Sequence, residues 1–264
     1  MSIKINQTNI RIRPSSVDTF QQCSYQWAKV FLEGITTIPS ARAAIGTAIH
    51  KAIEVMWLEA MNSKKKEPNL SAMLDAGVES FKESTKEGMR YDNGEDINSC
   101  NKEIAAGTNA FVEELVPFLD IPDAVETYLE IPISGHPIVS SVGGTVDYLT
   151  PDCLDDVKTS KKTPSPANYT TQQSIYRLLA EANGKNIKHN RIQGVVLTKV
   201  PKAVILDLQP NVDQAKHIVN TILDTIEIAS KDIMPIDLLF RCNTKYYLCS
   251  PLYCSLHGSC PATK

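Results

Sequence analysis

The sequence predicts an α/β fold in which helices flank a mixed central β-sheet, with a helical region before it and a cysteine-bearing tail after it. Three observations carry this prediction. Up to about residue 120 the apolar residues recur at helical spacing, most clearly Ile45, Ile49, Ile53, Met56 and Trp57. Beyond Pro122, short runs rich in Val, Ile, Thr and Tyr are separated by Gly and Pro, the pattern of strands and turns. Amphipathic stretches then interrupt those runs to give the order β-β-β-α-β-β-α.

Taken in order, residues 1–13 read as a short strand or arm. Ser15 or Ser16 can cap a helix through about Val30, anchored by Phe20, Trp27 and Phe31. A second helix runs roughly from Ala41 to Met61, and "NSKKKEPN" after it is a solvated loop. Two weaker helices span about Leu70–Lys86 and Asn101–Leu119, separated by the polar, turn-rich "EGMRYDNGEDINSC". "AVETYLEIPI", "HPIVSSVGGTVDYL" and "CLDDVKTS" are three successive strands. "ANYTTQQSIYRLLAEANG" is a helix ending at Gly184, "RIQGVVLTKV" and "AVILDLQP" are two more strands, and "NVDQAKHIVNTILDTIEIAS" is a final amphipathic helix. No internal repeat interrupts this order, and the 264 residues suit a single domain over 1–264. Its parts are a helical region (14–120), an α/β core (121–232) and a cysteine-bearing tail (233–264).

A net charge of −3 excludes a general polycation but leaves room for a local basic strip that could meet phosphates. No apolar run approaches the ~18 residues of a membrane span. "MSIKINQTNIRIRP" has no apolar leader segment, so a cytoplasmic protein is expected, or one in a host's cytoplasm. Seven cysteines in that reducing setting argue for metal rather than disulfides.

The stretch "GGTVDYLTPDCLDDVKTSKK" places four aspartates and three lysines with a hairpin pattern. With a turn centred on Pro151–Asp152, Leu149 faces Leu154 and Asp147 faces Asp156. Alternation puts Asp156 and Lys158 on one face and Asp155 on the other. Opposed carboxylates destabilise a strand pair. A hard divalent cation such as Mg²⁺ or Mn²⁺ would remove that cost, while an exposed polar hairpin is the alternative. Gln172 and Tyr176 follow on the next helix, four residues apart and hence on one face. Cys249, Cys254 and Cys260 form a C-x4-C-x5-C tail, and Cys23 lies on the first helix. Cys100, Cys153 and Cys242 fit no spacing pattern and read as ordinary thiols, with Cys242 a substitute ligand in reserve.

In this order (Cys, His, Asp, Asp-x-Lys, Gln-x3-Tyr, three Cys) the chain resembles the PD-(D/E)XK nuclease superfamily. It is most similar to the RecB-like branch, which includes the AddB nuclease domain, CRISPR-associated RecB-like exonucleases and phage exonucleases. Val146 replaces the proline that names the superfamily, a departure common in that branch. The resemblance implies a restriction-endonuclease-like sheet and a metal-dependent deoxyribonuclease, most simply an exonuclease, using Mg²⁺ or Mn²⁺ and leaving 5′-phosphate ends. By the same resemblance His50 of "GTAIHKAIE", Asp147, Asp156 and the backbone carbonyl of Val157 would hold metal. Lys158 would assist the nucleophile, and Gln172 with Tyr176 would hold a phosphate or a water. Glu126 would match an acidic residue upstream of the first aspartate.

Cys23, Cys249, Cys254 and Cys260 would hold a [4Fe–4S] cluster that staples the tail to the first helix. Spacing alone leaves Zn²⁺ in the same four-cysteine site open. DNA, as single strands or duplex ends, would be the partner, with Lys161 and Lys162 on its backbone. Lys199, Lys202 and Lys64–Lys66 are further basic candidates, and Tyr25 or Trp27 could stack on bases. No Gly-x4-Gly-Lys-Ser/Thr loop is present, so any motor would be separate: a helicase, a recombinase partner or a CRISPR adaptation protein, as in phage DNA recombination. A homo-oligomer stays open. The competing reading is a non-catalytic nucleic-acid-binding or scaffold module that keeps the fold. The intact Asp147, Asp156 and Lys158 count against it.

Overall fold

The computed structural model describes residues 3–263 apart from Thr37, Glu87, Asn93, Tyr247 and Leu252. A short strand β1 (Ile10–Ile12) leads into α1 (Pro14–Gln22) and α2 (Ser24–Phe31). Pro14 opens α1 at a position where a missing N–H costs nothing, and Arg13 precedes it in extended conformation. The single helix expected from Ser15 to Val30 is therefore broken. Cys23 leaves helical geometry at φ −152°, ψ 86° and ends one helix while starting the next. Ser16 is inside α1. Its hydroxyl donates to the Arg13 carbonyl and accepts from the buried Trp27 indole at 3.2 Å.

Three helices follow: α3 (Ala41–Ser63), α4 (Leu70–Thr85) and α5 (Ile97–Glu114). Ser40, Asn69 and Asp96 cap them, each accepting from a backbone N–H of the first turn. Asp96 and Ser99 exchange bonds as a capping box, which starts α5 four residues earlier than its apolar pattern predicts.

The sheet comprises β1, β2 (Ala124–Pro132), β3 (Val139–Leu149), β4 (Cys153–Ser160), β5 (His189–Val196) and β6 (Lys202–Leu208). Its order is β1-β3-β4-β5-β6, with β2 also on β3, and it mixes parallel pairs (β1/β3, β4/β5) with antiparallel ones. Helix α6 (Thr170–Ala182) crosses between β4 and β5, which lets those two strands run parallel. Helix α7 (Val212–Ser230) and the short α8 (Ile236–Leu239) lead into the tail.

Two apolar clusters sandwich the sheet. One joins α1, α2, α6 and α7 to Val142, Leu149 and Leu154; the other joins α3–α5 to Tyr148, Val157 and Val195. On β4, Leu154 and Val157 belong to different clusters, as an odd spacing along a strand requires. No described helix is long and apolar enough to cross a membrane.

The turn at Pro151–Asp152 sets the expected register, with Leu149 opposite Leu154. The ladder then stops. β4 pairs with β3 only at Leu149↔Leu154 and Tyr148↔Asp155 before the two strands diverge, and β1 takes up the edge of β3 again at Val139, Ser141 and Val142. Asp147 and Asp156 therefore stand at the mouth of a fork and not as a ladder pair.

Candidate active site

The fork is bridged by a side chain. Asp147 Oδ2 accepts a hydrogen bond of 2.7 Å from the Val157 backbone N–H, so the carboxylate of one strand satisfies a donor of the other. The same oxygen lies 3.4 Å from His50 Nδ1 on α3. A glycine makes that approach feasible. A Cβ at Gly46 would stand 2.7 Å from Thr159 Oγ1, so α3 can lie against the end of β4 only because that side chain is missing. His50 follows four residues on, on the same helix face.

Asp156 is buried, and its Oδ2 forms an ion pair of 2.5 Å with Lys158 Nζ. That oxygen has no well-directed hydrogen bond, so charge alone compensates it. Burial pushes the Asp156 carboxyl up to about 6; Lys158 opposes the shift and Asp147 adds to it. For Lys158, burial would lower the pKa, but Asp156 and Asp147 outweigh it and hold the ammonium charged. Asp155 points elsewhere and is clamped by Arg191 through two bonds of 2.8 and 2.7 Å.

On α6, Gln172 and Tyr176 share a side-chain hydrogen bond. Burial raises the Tyr176 hydroxyl, and the charges of Asp156 and Asp147 raise it further, which places the phenol beside both carboxylates. Its ring also needs a glycine, since a Cβ at Gly144 would stand 3.2 Å from Tyr176 Cε1 and 2.8 Å from Pro14 Cδ.

Three more acidic side chains surround this group. Glu126 on β2 sits at φ +50°, a left-handed conformation rare for a non-glycine inside a strand. Its carboxyl is pushed up to about 7 by burial, then by Asp147 and Glu54, with Lys51 opposing. Glu54 and Lys51 belong to the α3 turn that follows His50 and pair at 2.8 Å. Asp18 on α1 is raised by burial and pulled down by Lys158. The sequence reading reached Glu126 but missed Glu54 and Asp18. Glu54 was within reach of pattern reasoning, since it lies four residues from His50 in "HKAIE".

Two carboxylates at the fork, a third beside them and an imidazole form a donor set suited to a hard divalent cation. The under-bonded Asp156 Oδ2 fits that use. Among the described residues, no three His, Cys, Asp or Glu side chains stand at the spacing of a formed metal cage. Lys158 lies against Asp156 Oδ2, and Asp147 Oδ2 is engaged by Val157 and His50.

The basic candidates divide. Lys161 and Lys162 are exposed beyond the end of β4. Lys66 instead donates to the carbonyls of Val116, Pro117 and Leu119, closing the turn after α5. Tyr25 and Trp27 are buried, which removes them as stacking platforms.

All seven cysteines are free thiols, and five gather between α2 and the tail. Cys242 Sγ lies 3.4 Å from Cys260 Sγ. Burial pushes the Cys242 thiol up to about 12, followed by Cys260 and then Cys23. Burial also raises Cys249, aided by the charges of Cys254, Cys23 and Cys260. The charges of Cys23, Cys254 and Cys260 act on Cys249, but among the described residues no three thiols stand at metal-ligating spacing; Cys242, beside Cys260, is a further thiol that the spacing pattern left out. Its place is fixed by backbone: Tyr25 N–H donates to the Arg241 carbonyl, Arg241 N–H to Ser24 Oγ at 2.8 Å, and Asn243 Nδ2 to the Gln22 carbonyl at 2.8 Å. Cys100 and Cys153 are buried away from the tail.

Residues 11–261 match the family model described as the PD-(D/E)XK nuclease superfamily. Among solved structures, the chain is similar to the crystal structure of a candidate exonuclease from Eubacterium rectale, with TM-score 0.61 and 12% identity, covering 86% of this chain and 83% of that one. It also aligns with the protein SSO0001 at 12% identity over 95% and 94% of the two chains, but the TM-score of 0.38 carries no argument. No curated protein matches the sequence.

Proposed function

The chain belongs to the PD-(D/E)XK nuclease superfamily, and from that premise we propose that it is a RecB-like, Mg²⁺- or Mn²⁺-dependent deoxyribonuclease acting as an exonuclease. The observation that carries this reading is the meeting of His50, Asp147, Asp156 and Lys158, drawn from α3, β3 and β4, at the fork between two strands. Asp147 and Asp156 would hold the ion, with His50 and the Val157 carbonyl completing its protein ligands. Bound there, it supplies Lewis-acid polarisation of a phosphoryl oxygen and activation of water.

The remaining work falls to side chains. Lys158 is held as an ammonium by its carboxylate neighbours, so it stabilises negative charge growing on the phosphoryl group and does not act as a base. Tyr176 keeps its proton and, linked to Gln172, donates to a phosphate oxygen or orients a water. Glu126 adds a carboxyl on the side of the fork opposite β4.

In the tail, we assign a [4Fe–4S] cluster to Cys23, Cys249, Cys254 and Cys260, joining α2 to the end of the chain. Zn²⁺ held by the same four thiolates is the second reading, since a tetrahedral four-cysteine site would staple the tail in the same way.

The deciding experiment incubates the protein with labelled single- and double-stranded DNA and Mg²⁺ or Mn²⁺. Release of nucleotides that stops with chelator and with Asp156→Ala supports the reading. A wild-type protein that binds but never cuts DNA returns the chain to a scaffold role.

A further inference from the structure

The tail contains a close contact between two sulfurs. Cys242 Sγ and Cys260 Sγ lie 3.4 Å apart, and among the described residues no other two thiols share a hydrogen bond. Cys23 turns to the backbone instead, with its Sγ 3.9 Å from the Arg241 carbonyl. Cys260 is buried and Cys242 half-buried. The Cys260 sulfur also accepts from the Ala262 N–H at 3.4 Å, which fixes it beside its partner.

We propose that Cys242 and Cys260 form an oxidisable dithiol, which hydrogen peroxide closes to a disulfide, withdrawing Cys260 from the metal ligands of the tail. The withdrawal rests on the assignment of Cys260 to that metal. The dithiol itself rests on the pair alone and is independent of the nuclease reading.

Distance favours the reaction. A disulfide is about 2.0 Å long, so the two sulfurs need to approach by about 1.4 Å. The residues are 18 positions apart, and closing that short loop restricts the unfolded chain more than the fold. Access favours it too. Cys242 is half-buried and its neighbour Arg241 is exposed, so a small oxidant reaches the pair from solvent.

The chemistry balances. Peroxide oxidises one thiol to a sulfenic acid, breaking the O–O bond and releasing one water. The sulfur of the second thiol then attacks the sulfenic sulfur. An S–S bond forms, the S–O bond breaks, and the oxygen leaves as a second water with the remaining thiol proton. Two electrons pass from the thiols to peroxide, and a thiol reductant reverses the step.

The consequence follows from where Cys242 is held. Arg241 N–H donates to Ser24 Oγ, and Asn243 Nδ2 to the Gln22 carbonyl, each at 2.8 Å. A disulfide from Cys242 to Cys260 therefore ties the end of the chain to the segment already fastened against α2. The oxidised tail keeps its fastening without metal. A sulfur in a disulfide is not a thiolate ligand, so metal and disulfide exclude each other at Cys260.

The test treats the reduced, metal-free protein with hydrogen peroxide, blocks unreacted thiols in denaturant, and counts and maps them by mass spectrometry. The wild type should fall from seven free thiols to five, the missing two joined as Cys242–Cys260. Cys242→Ser should keep its remaining six. The second measurement is Zn²⁺ uptake, read by metal analysis after gel filtration. Peroxide should abolish uptake in the wild type, dithiothreitol should restore it, and Cys242→Ser should take up Zn²⁺ before and after peroxide alike. Zn²⁺ added before peroxide should keep all seven thiols free. A disulfide mapped to other cysteines, or loss of two thiols from Cys242→Ser at the wild-type rate, overturns the dithiol. Undiminished Zn²⁺ uptake by protein carrying the mapped disulfide overturns the withdrawal. Failure of the reduced wild type to take up Zn²⁺ or iron overturns the metal assignment instead, and none of these outcomes bears on DNA cleavage.

Discussion

The carboxylate of Asp147 touches two parts of the fold at once: its Oδ2 accepts the Val157 N–H at 2.7 Å and stands 3.4 Å from His50 Nδ1. One oxygen thus holds the fork between β3 and β4 and tethers the helix that carries the imidazole. Asp147→Asn keeps the shape and removes the charge. It should abolish metal-dependent cleavage while circular dichroism stays native, and Asp147→Ala should also destabilise the fold by about 1–3 kcal/mol because the buried Val157 N–H loses its acceptor. Equal stability of the two variants would show that the bridge contributes nothing.

Lys158 separates an electrostatic role from a base role. Lys158→Ala should lower kcat by about 10²–10³. Lys158→Arg, which keeps a charge that cannot be released, should recover part of the rate, as a base would not. The readout is single-turnover cleavage at saturating Mg²⁺.

The pH dependence of the metal-free protein has a definite sign. Asp156 titrates at about 6 in the fold against about 3.9 in an unfolded chain, and Glu126 at about 7. Raised carboxyl pKa values stabilise the protonated fold, so this stability is complete below about pH 4 and is lost as pH rises through 6 and 7. In chelator the melting temperature should fall over that window, with Asp156 accounting for on the order of 3 kcal/mol at most. Asp156→Asn should flatten the lower part of the fall. Added Mg²⁺ should raise the melting temperature more at pH 8 than at pH 5. A flat profile in the wild type would contradict the assignment.

Gly46 is a packing requirement with a distant partner. Gly46→Ala sets a methyl 2.7 Å from Thr159 Oγ1 and should cost about 1–3 kcal/mol, with a loss of cleavage as His50 is lifted from Asp147. Thr159→Ala in the same chain should restore both. Additive losses in the double variant would mean that the two residues do not meet.

Glu126 should reveal a trade between stability and activity. Glu126→Gly relieves a left-handed backbone that costs of order 1–3 kcal/mol and removes a carboxyl from a crowded acidic group. The variant should melt higher in chelator and cleave more slowly with Mg²⁺. A lower melting point would show that the strand does not strain this residue.

Much of this arrangement was legible in the chain. The turn at Pro151–Asp152 and the alternation after it placed Leu149 on Leu154 and aimed Asp156 with Lys158, because a two-residue period leaves few registers. The divergence beyond Tyr148 was not legible, since it depends on β1 returning to the edge of β3 from more than a hundred residues away. Nor was the break at Cys23. No glycine or proline marks it, and the bonds from Ser24 and Gln22 to the tail hold it. Cys242 was discounted because spacing tests only neighbours in sequence, whereas those same bonds deliver its thiol to Cys260. Glu126 was noticed as an acid, but its backbone strain arises from the sheet around it.

The hydrogen bonds that clasp Ser24 to Arg241 join residues 217 positions apart. At translation rates of about 5–20 residues per second, the earlier residue leaves the ribosome roughly 10–40 seconds before the later one is made. Throughout that interval Cys23 has none of the thiol neighbours that Arg241–Asn243 bring to it.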